Sequence, residues 1–337
     1  MTNNINENVA QQDVQPVDMS HLEDLLVDDE NIDTSYEPFS REPQYINANR
    51  DFIQTLPIDR TTRIVDLACG TSTMTGLMLE KIYGEGSYKP GSVDEVNSQR
   101  ILGMDLSRES LLHGQRYLAG LGYLVPSDTE RVPTASTHMH MVDLIEGSAD
   151  CLPFVDNCAD FSIMGNAIQL IDNLDGMFSE LNRILVPGGR FAFNTSFYAG
   201  TYTPGTEHIY VNWMQEALAY IKERDEELRA TGHPGVKRKR GNAARAFSKP
   251  WMSLGDYTAR LEQHGFKVEV SDERVVTLDQ RCFETIGAYA GLAKVLLSGY
   301  PVKLACEALE RASAPTLAKA NMPEVPRYWL EVVARKV

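Results

Sequence analysis

The 337-residue chain is long enough for one large α/β domain with additions, and its hydrophobic fraction of 43% is normal for a protein with a substantial core. Its net charge is −15, and residues 1–40 hold ten acidic residues and no lysine or arginine. An acidic chain without a long basic stripe is unsuited to the nucleic-acid backbone, so we predict no nucleic-acid partner.

Cysteine usage and the absence of targeting signals indicate the compartment. The five cysteines are scattered, odd in number and without a CxxC pair, which is typical of a reduced protein without a disulfide or zinc framework. The histidines have no spacing typical of metal ligands, so we expect no metal. The N-terminus lacks the basic and apolar segments of a signal peptide, and no apolar run approaches the roughly 18 residues that span a bilayer. We therefore expect a cytoplasmic protein with no membrane span.

The first segment, residues 1–40, is polar and acidic, and its composition predicts a disordered tail. Leu22, Leu25 and Leu26 leave a second interpretation open, in which this segment forms an amphipathic turn and folds back over a pocket.

Short strands and helices alternate over residues 41–197, which predicts the ligand-binding core. The expected strands are 63–67, 101–104, a stretch within 139–145, 161–165 and 190–194. Helices are expected over 45–56, 74–83, from Ser107 through Tyr117, and over 174–185, with a Gly/Ser-rich loop at 84–99. Pro187-Gly188-Gly189 is expected to end the last of these helices and turn directly into the fifth strand. This alternation predicts an α/β fold with a doubly wound sheet that binds ligands at the carboxyl ends of its strands.

Two helical insertions interrupt the later part of the chain, and we expect them to form a lid. The first, residues 198–252, holds a helix at 209–229 and a basic loop. Core segments are expected at 253–278, with a helix at 253–264 and a strand at 266–270, and at 326–337, with a strand at 329–334. The second insertion, residues 279–325, holds helices at 281–297 and 301–319. The whole predicts a seven-stranded sheet with helical lid insertions.

Two strands of the core end in carboxylates. The stretch Arg63–Thr75 reaches Asp66, then turns through small residues into a helix. Such a turn lets a ligand approach the backbone closely and points free N–H groups at it. Asp105 ends the second strand in the same way.

The order of these motifs, with Leu-Pro-Phe at 152–154 and Pro-Gly-Gly before the fifth strand, resembles class I S-adenosylmethionine-dependent methyltransferases. The resemblance is greatest to the ubiquinone/menaquinone methyltransferase-like group that acts on small molecules, and it covers about residues 60–197. It implies a Rossmann-like fold, S-adenosyl-L-methionine as cofactor and S-adenosyl-L-homocysteine as product.

The resemblance also implies roles for individual residues. Asp66 would orient the cofactor's ammonium group, and Asp105 would accept both ribose hydroxyls, although it could instead serve as a helix N-cap. Leu106 would pack on the adenine. Further cofactor contacts are expected from Tyr45, Ala68, Cys69, Gly70, Ser148, Ala149 and Asn166.

The sequence departs from the family pattern at several positions. Ala68 and Ser72 stand where the turn usually has glycine, and Ala68 fits only if its φ permits a side chain. Ser148 replaces an adenine-binding acid, a role that Asp150 could fill. Gln169 stands where the family often has histidine, and glutamine cannot act as a general base. A purely structural role for Asn166 and Gln169, as capping or loop groups, is the alternative.

Candidates for catalysis are His208, Tyr198 and Gln169. His208 and Tyr198 belong to an aromatic cluster at the start of the first insertion, and histidine has an ordinary pKa near neutrality. A histidine in a loop can equally be solvated or packed. The basic run 237–240 is either a solvated loop or a site for an anionic substrate or a carrier protein.

The sequence thus predicts methyl transfer to O, N or C of a small, largely apolar metabolite, in secondary metabolism, by a monomer or homodimer. Alternatives are other chemistry in the cofactor pocket, such as cyclisation, and a non-catalytic binding protein. A nicotinamide dehydrogenase is disfavoured because the turn lacks GxGxxG spacing. The motif Asn-Pro-Pro-Tyr, typical of methylation on nucleobases, is absent.

Overall fold

The computed structural model describes residues 19–27, 32, 35–84, 101–123, 142–239 and 250–337. Several predicted features lie outside these residues. They are residues 1–18 of the tail, the loop after Gly84, His138, His140 and Arg240 of the basic run.

The described residues form a seven-stranded sheet with strand order β3-β2-β1-β4-β5-β7-β6. The strands are β1 (Ile64–Leu67), β2 (Ile101–Asp105), β3 (Val142–Glu146), β4 (Ala159–Gly165), β5 (Leu185–Thr195), β6 (Phe266–Asp279) and β7 (Glu324–Lys336). The first five are parallel, and β7 runs antiparallel to β5 and β6. The chain winds outward from β1 and then from β4, so the strand order reverses between them, where doubly wound sheets bind ligands. The predicted Rossmann-like fold is confirmed.

Helices cover both faces of the sheet and extend beyond it. They are α1 (Met19–Leu25), α2 (Glu37–Ser40), α3 (Pro43–Thr55), α4 (Thr73–Tyr83), α5 (Arg108–Gly120), α6 (Leu174–Ile184), α7 (Glu207–Ala230), α8 (Leu254–Gln263), α9 (Gln280–Ala288), α10 (Ala290–Leu296) and α11 (Val302–Ala320), with a 3-10 turn at Ile168–Leu170. Ser107 caps α5, as the sequence predicts, because its hydroxyl accepts a hydrogen bond from the Ser110 N–H.

The junction before β5 differs from the prediction. α6 ends at Ile184 and β5 begins at once with Leu185, so the Pro-Gly-Gly run lies within the strand. The pairing of β4 with β5 shifts register between Ala159 and Phe161. One residue of β4 there lies opposite residues 186–189 of β5, which include the Pro-Gly-Gly run, and Gly188 has a φ of +79°.

The last two strands are longer than predicted, and one predicted helix is two. β6 was expected to end at 270 and β7 to begin at 329, but they remain paired as far as Asp279 and Glu324. Because β6 lies at the edge of the sheet, polar residues are tolerated on its open side. The helix expected at 281–297 is broken at Tyr289, whose backbone is extended.

Buried apolar residues form three clusters. One holds Phe178, Leu181 and Tyr257 on one face of the sheet, and another holds Phe52, Leu77 and Leu118 on the other. The third joins the lid helices, and its members include Trp213, Phe283, Leu309 and Trp329.

The third cluster also contains the far ends of β6 and β7. Val276 and Leu278 of β6 and Val325 and Trp329 of β7 are buried there, against residues of α7, α9 and α11. The two strands thus extend from the sheet into the lid. The predicted domain bounds stay a prediction.

The prediction of a disordered tail over residues 1–40 is wrong for part of that segment. Leu22 and Leu25 of α1 are buried in the lid cluster, as is Phe39 of α2. Apolar side chains at helical spacing outweigh the acidic composition, so these parts follow the alternative interpretation of a segment that folds back.

Candidate functional site

A cavity of about 480 Å³ lies at the carboxyl ends of β1, β2, β4 and β5. Its floor comes from the strand ends and its roof from the N-terminal segment and the lid helices. This volume is within the range of small-molecule sites.

The turn after β1 forms one side of the cavity. Ala68, Gly70 and Ser72 all adopt positive φ, at 50°, 53° and 61°. The Cys69 N–H donates to the Met104 carbonyl at 3.0 Å, which ties the turn to β2. Ala68 and Ser72 therefore adopt a left-handed backbone conformation that glycine reaches without strain. A residue with a side chain in this conformation costs roughly 1–2 kcal/mol.

Ser72 is accommodated by a glycine on the facing helix. A Cβ atom built at Gly114 of α5 would lie 2.3 Å from Ser72 Oγ. The serine side chain thus occupies space that a side chain on α5 would otherwise take, and α5 packs directly against the turn.

Asp105 presents its carboxylate to the cavity beside this turn. Its Oδ2 accepts from the Gly70 N–H at 2.9 Å, and its Oδ1 accepts from the Ser107 N–H at 2.8 Å. Burial raises the pKa of Asp105, while the Ser107 and Gly70 N–H groups act in the opposite direction. Each carboxylate oxygen keeps capacity to accept one more hydrogen bond, as two ribose hydroxyls require.

Asp66 lies behind the turn and does not line the cavity directly. Its Oδ2 accepts from the Thr75 hydroxyl at 2.6 Å, and its Oδ1 is buried without a hydrogen-bond partner among the described residues. Burial raises the pKa of Asp66 to about 7. A buried carboxylate with one unsatisfied oxygen is suited to a nearby cation or a bound water.

A chain of amide groups fixes the end of β4. The Asn166 Oδ1 accepts from the Ser196 N–H at 2.8 Å, and the Asn166 N–H donates to Asn194 Oδ1 at 2.9 Å. Asn194 Nδ2 donates to Asn49 Oδ1, and Asn49 Nδ2 donates to the Tyr45 carbonyl, both at 2.8 Å. Asn166 and Tyr45 both line the cavity, so this chain connects its floor to helix α3.

Gln169 lines the cavity but is held on both sides by the protein. Its Nε2 donates to the Asn166 carbonyl at 2.8 Å, and its Oε1 accepts from the Thr195 hydroxyl at 2.9 Å. The nitrogen and the oxygen of its side-chain amide are both engaged, so the geometry supports a positioning role.

The residues expected to contact adenine, Leu106, Ser148 and Ala149, do not line the cavity. Leu106 is 71% exposed, and Ala149 is buried in a core cluster. The Ser148 hydroxyl donates to the Asp150 carboxylate. None of the three lines the cavity, which reaches this side through Ser107 and Ser110.

The structure places two predicted catalytic residues outside the cavity lining, and their catalytic role stays a prediction. The His208 side chain is exposed in the first turn of α7, outside the cavity lining. The Tyr198 ring is buried in a core cluster, and its hydroxyl donates to the exposed Glu273 at 2.7 Å. Burial, with the Glu273 acceptor, raises the pKa of Tyr198, so it is poorly suited to accept a proton as phenolate.

Aromatic side chains form most of the roof. Phe197, Tyr202 and Tyr210 come from the cluster that the sequence indicates. Others were missed, and they come from the N-terminal segment and the lid: Tyr36, Phe39, Trp213, Trp251, Phe283, Tyr289 and Trp329. These residues lie far apart in the chain, so spacing gave no signal for them.

Arg327 was also missed. It lines the cavity from β7 and is 7% exposed. The alternation of Val325, Arg327 and Trp329, all buried, was the available signal, because residues two apart share a face of a strand.

The site fits S-adenosylmethionine at three points. Asp105 can hold the ribose, Asp66 has an unsatisfied oxygen behind the turn that could act on the ammonium group through the turn or a bound water, and a Cβ at Gly70 would meet nothing closer than the Ala68 carbonyl at 4.0 Å. The described residues contain no group of three potential metal ligands and no helix long and apolar enough to cross a membrane.

Comparisons with known proteins agree with this geometry. Residues 65–193 match the model of a family described as a methyltransferase domain. Demethylmenaquinone methyltransferases from Listeria welshimeri and Symbiobacterium thermophilum are 26% and 28% identical to this chain over 148 residues, or 44% of it. Those matches cover 50% and 48% of the relatives, so the chain spans about half the length of these curated relatives. A third, from Geobacillus stearothermophilus, is 23% identical over 58% of this chain and 81% of its own length.

Two solved structures are similar over most of the chain. The [4+2]-cyclase SpnF is 15% identical, with a TM-score of 0.47, over 87% of this chain and 81% of its own. Phosphoethanolamine N-methyltransferase 2 from Haemonchus contortus is 16% identical, with a TM-score of 0.44, over 90% of this chain and 60% of its own. The matched residues 65–193 contain the β1 turn, Asp105 and the end of β4, so the part of the chain that is similar to a methyltransferase domain includes the floor of the cavity.

Proposed function

We propose that this protein transfers a methyl group from S-adenosylmethionine to O, N or C of a small, largely apolar molecule. The observation that carries the proposal is that Asp105 and the β1 turn open into the same cavity as the aromatic roof. A cofactor held by Asp105 and a substrate held by the roof would meet at the end of β4.

When bound, the cofactor supplies an electrophilic methyl group on sulfur. The contributions of this chain are alignment and exclusion of water. Asn166 and Gln169 line the strand edge and are fixed by hydrogen bonds, Tyr45 lines the cavity from α3, and the aromatic roof limits access of water. Holding two reactants in line can supply several orders of magnitude in rate.

We assign no general base, because the residues that line the cavity include no histidine. The named activity of the curated relatives makes a quinone-type ring one candidate class of substrate. A role in secondary metabolism, a cytoplasmic location, a monomeric or dimeric state and a carrier-protein contact stay predictions.

The test is calorimetric titration with S-adenosylmethionine and S-adenosylhomocysteine, comparing the natural protein with Asp105→Asn. We expect both compounds to bind, and the substitution to weaken binding by about 1–3 kcal/mol because hydrogen bonds to a charged group are lost. Glu262→Gln is the control, because it also removes one charge but is exposed on α8. Failure of both compounds to bind the natural protein would refute the proposal.

A further inference from the structure

Arg327 is a buried cation in an apolar part of the cavity. Among the residues that line it, Arg327 is the one cation and Asp105 the one carboxylate. Asp105 already accepts from two backbone N–H groups at the cofactor side.

The guanidinium group of Arg327 is only partly engaged by the protein. Its Nε donates to Thr201 Oγ1 at 2.8 Å, and its Nη2 donates to the Ser196 carbonyl. A guanidinium has five N–H donors, so three remain. No acidic side chain of the described residues forms an ion pair with it.

Aromatic rings surround this group. Its Cζ lies 5.0 Å from the ring centre of Phe197, 4.9 Å from Tyr210, 5.5 Å from Tyr202 and 5.9 Å from Trp251. Cation–π contacts compensate part of the desolvation of a buried charge. They leave the N–H groups without acceptors, and burial of a charge that is incompletely hydrogen-bonded is unfavourable.

A structural role explains only part of this arrangement. The bonds to Ser196 and Thr201 fasten the segment after β5 to β7, and a neutral donor could do the same. The remaining N–H groups and the positive charge need a partner that enters the cavity.

We propose that the substrate is an amphipathic carboxylate, whose apolar body packs on the aromatic roof while its carboxylate pairs with Arg327. The inference rests on the proposed function and specifies its substrate class. Ser196, whose carbonyl accepts from Arg327, also donates to Asn166 at the end of β4, so the bound anion lies near the strand edge where methyl transfer is proposed. A carboxylate is planar and matches the fork of donors on a guanidinium.

The test measures anion preference with a pair of matched probes, 2-naphthoate and its neutral amide, titrated into protein saturated with S-adenosylhomocysteine. We expect the natural protein to bind the naphthoate at least about tenfold more tightly than the amide. Arg327→Met should bind both equally, with the affinity for the amide unchanged. Arg327→Lys should restore a preference for the naphthoate, which a purely structural role would not produce.

Arg116→Met is the matched control, because Arg116 is exposed on α5, and it should behave as the natural protein does. Equal affinity of the natural protein for the two probes, including binding of neither, would overturn the proposal, as would a preference that survives in Arg327→Met. Tighter binding of 2-naphthyl phosphate than of the naphthoate would overturn the choice of carboxylate. Binding of S-adenosylhomocysteine itself, measured on the same samples, tests the proposed methyl transfer separately.

Discussion

At the scale of single residues, Ala68 is the clearest compromise in the site. It has a φ of 50°, where a Cβ atom is strained, yet it faces the cavity in the β1 turn. The methyl group brings strain to the backbone on which cofactor binding is expected to depend.

Ala68→Gly should therefore stabilise the protein. Relief of roughly 1–2 kcal/mol of left-handed strain exceeds the entropy cost of about 0.4–1 kcal/mol that glycine adds in the unfolded chain. The free energy of unfolding, measured in urea, should rise by about 0.5–1 kcal/mol. The control is Ala119→Gly, exposed in α5, which should lower it by a similar amount. A loss of stability in both variants would contradict the strain argument.

Asp66 should make the folded protein less stable as the pH rises, because its pKa is raised by burial. Its folded pKa of about 7 is above the ordinary 3.8, so the folded protein holds this proton over a range in which the unfolded chain has released it. Stability from this group is therefore lost as pH rises from about 4 to about 7, and the whole penalty, at most about 4 kcal/mol, is present above that.

Asp66→Asn should then raise the melting temperature more at about pH 8 than at about pH 5, because the natural carboxyl is already neutral at the lower pH. Thermal unfolding at both pH values is the measurement. An increase of the same size at both would show that burial does not hold this carboxyl neutral.

At the scale of secondary-structure elements, the β1 turn and α5 contact each other through Ser72 and Gly114. Gly114→Ala should lower the free energy of unfolding by about 1–3 kcal/mol, because the added Cβ would overlap Ser72 Oγ. The double variant Ser72→Gly, Gly114→Ala should recover most of that loss. Gly120→Ala is the matched control on the same helix, where an added Cβ meets nothing within 4 Å. A urea double-mutant cycle measures the coupling, and simple additivity would exclude it.

Sequence patterns located elements where apolar periodicity or a strand end marked them. Asp105 and Asn166 were found because Asp105 ends a parallel strand and Asn166 directly follows one, and such strands end at one edge of the sheet. Ser271 to Arg274 are exposed or half-exposed, so only pairing with β7 reveals them as strand. Arg327 was missed because the last strand was predicted to begin at residue 329, two residues after it. Tyr36 and Trp251 are far apart in the sequence and line the same cavity only because the chain folds.

At the scale of the whole molecule, the cavity is closed by an N-terminal strap, residues 36–41. Tyr36 and Phe39 line the cavity, and Arg41 donates to the Thr71 carbonyl at 3.0 Å and to Thr73 Oγ1 at 2.8 Å. The Arg41 guanidinium also lies 3.6 Å from the ring centre of Tyr117. The strap thus holds the same turn that is proposed to hold the cofactor.

Removal of residues 1–41 should weaken binding of S-adenosylhomocysteine by about tenfold or more, because apolar contacts and turn-fixing hydrogen bonds are lost together. Removal of residues 1–18 is the control and should leave affinity unchanged. Calorimetry and circular dichroism on both shortened proteins distinguish loss of binding from loss of folding. Equal affinity of the two would remove the strap from the site.

The continuous β6–β7 ladder also bears on how the cavity opens. Apart from a register shift between Val268 and Val270, the two strands are paired from the sheet to the base of the lid, so this connection offers no unpaired segment about which the lid could rotate. The strap is fastened by side-chain contacts instead of a ladder, so we expect it to detach at lower cost than the paired strands. We therefore expect the cavity to open by displacement of the strap. We also expect release of S-adenosylhomocysteine, which this displacement allows, to limit the rate of turnover.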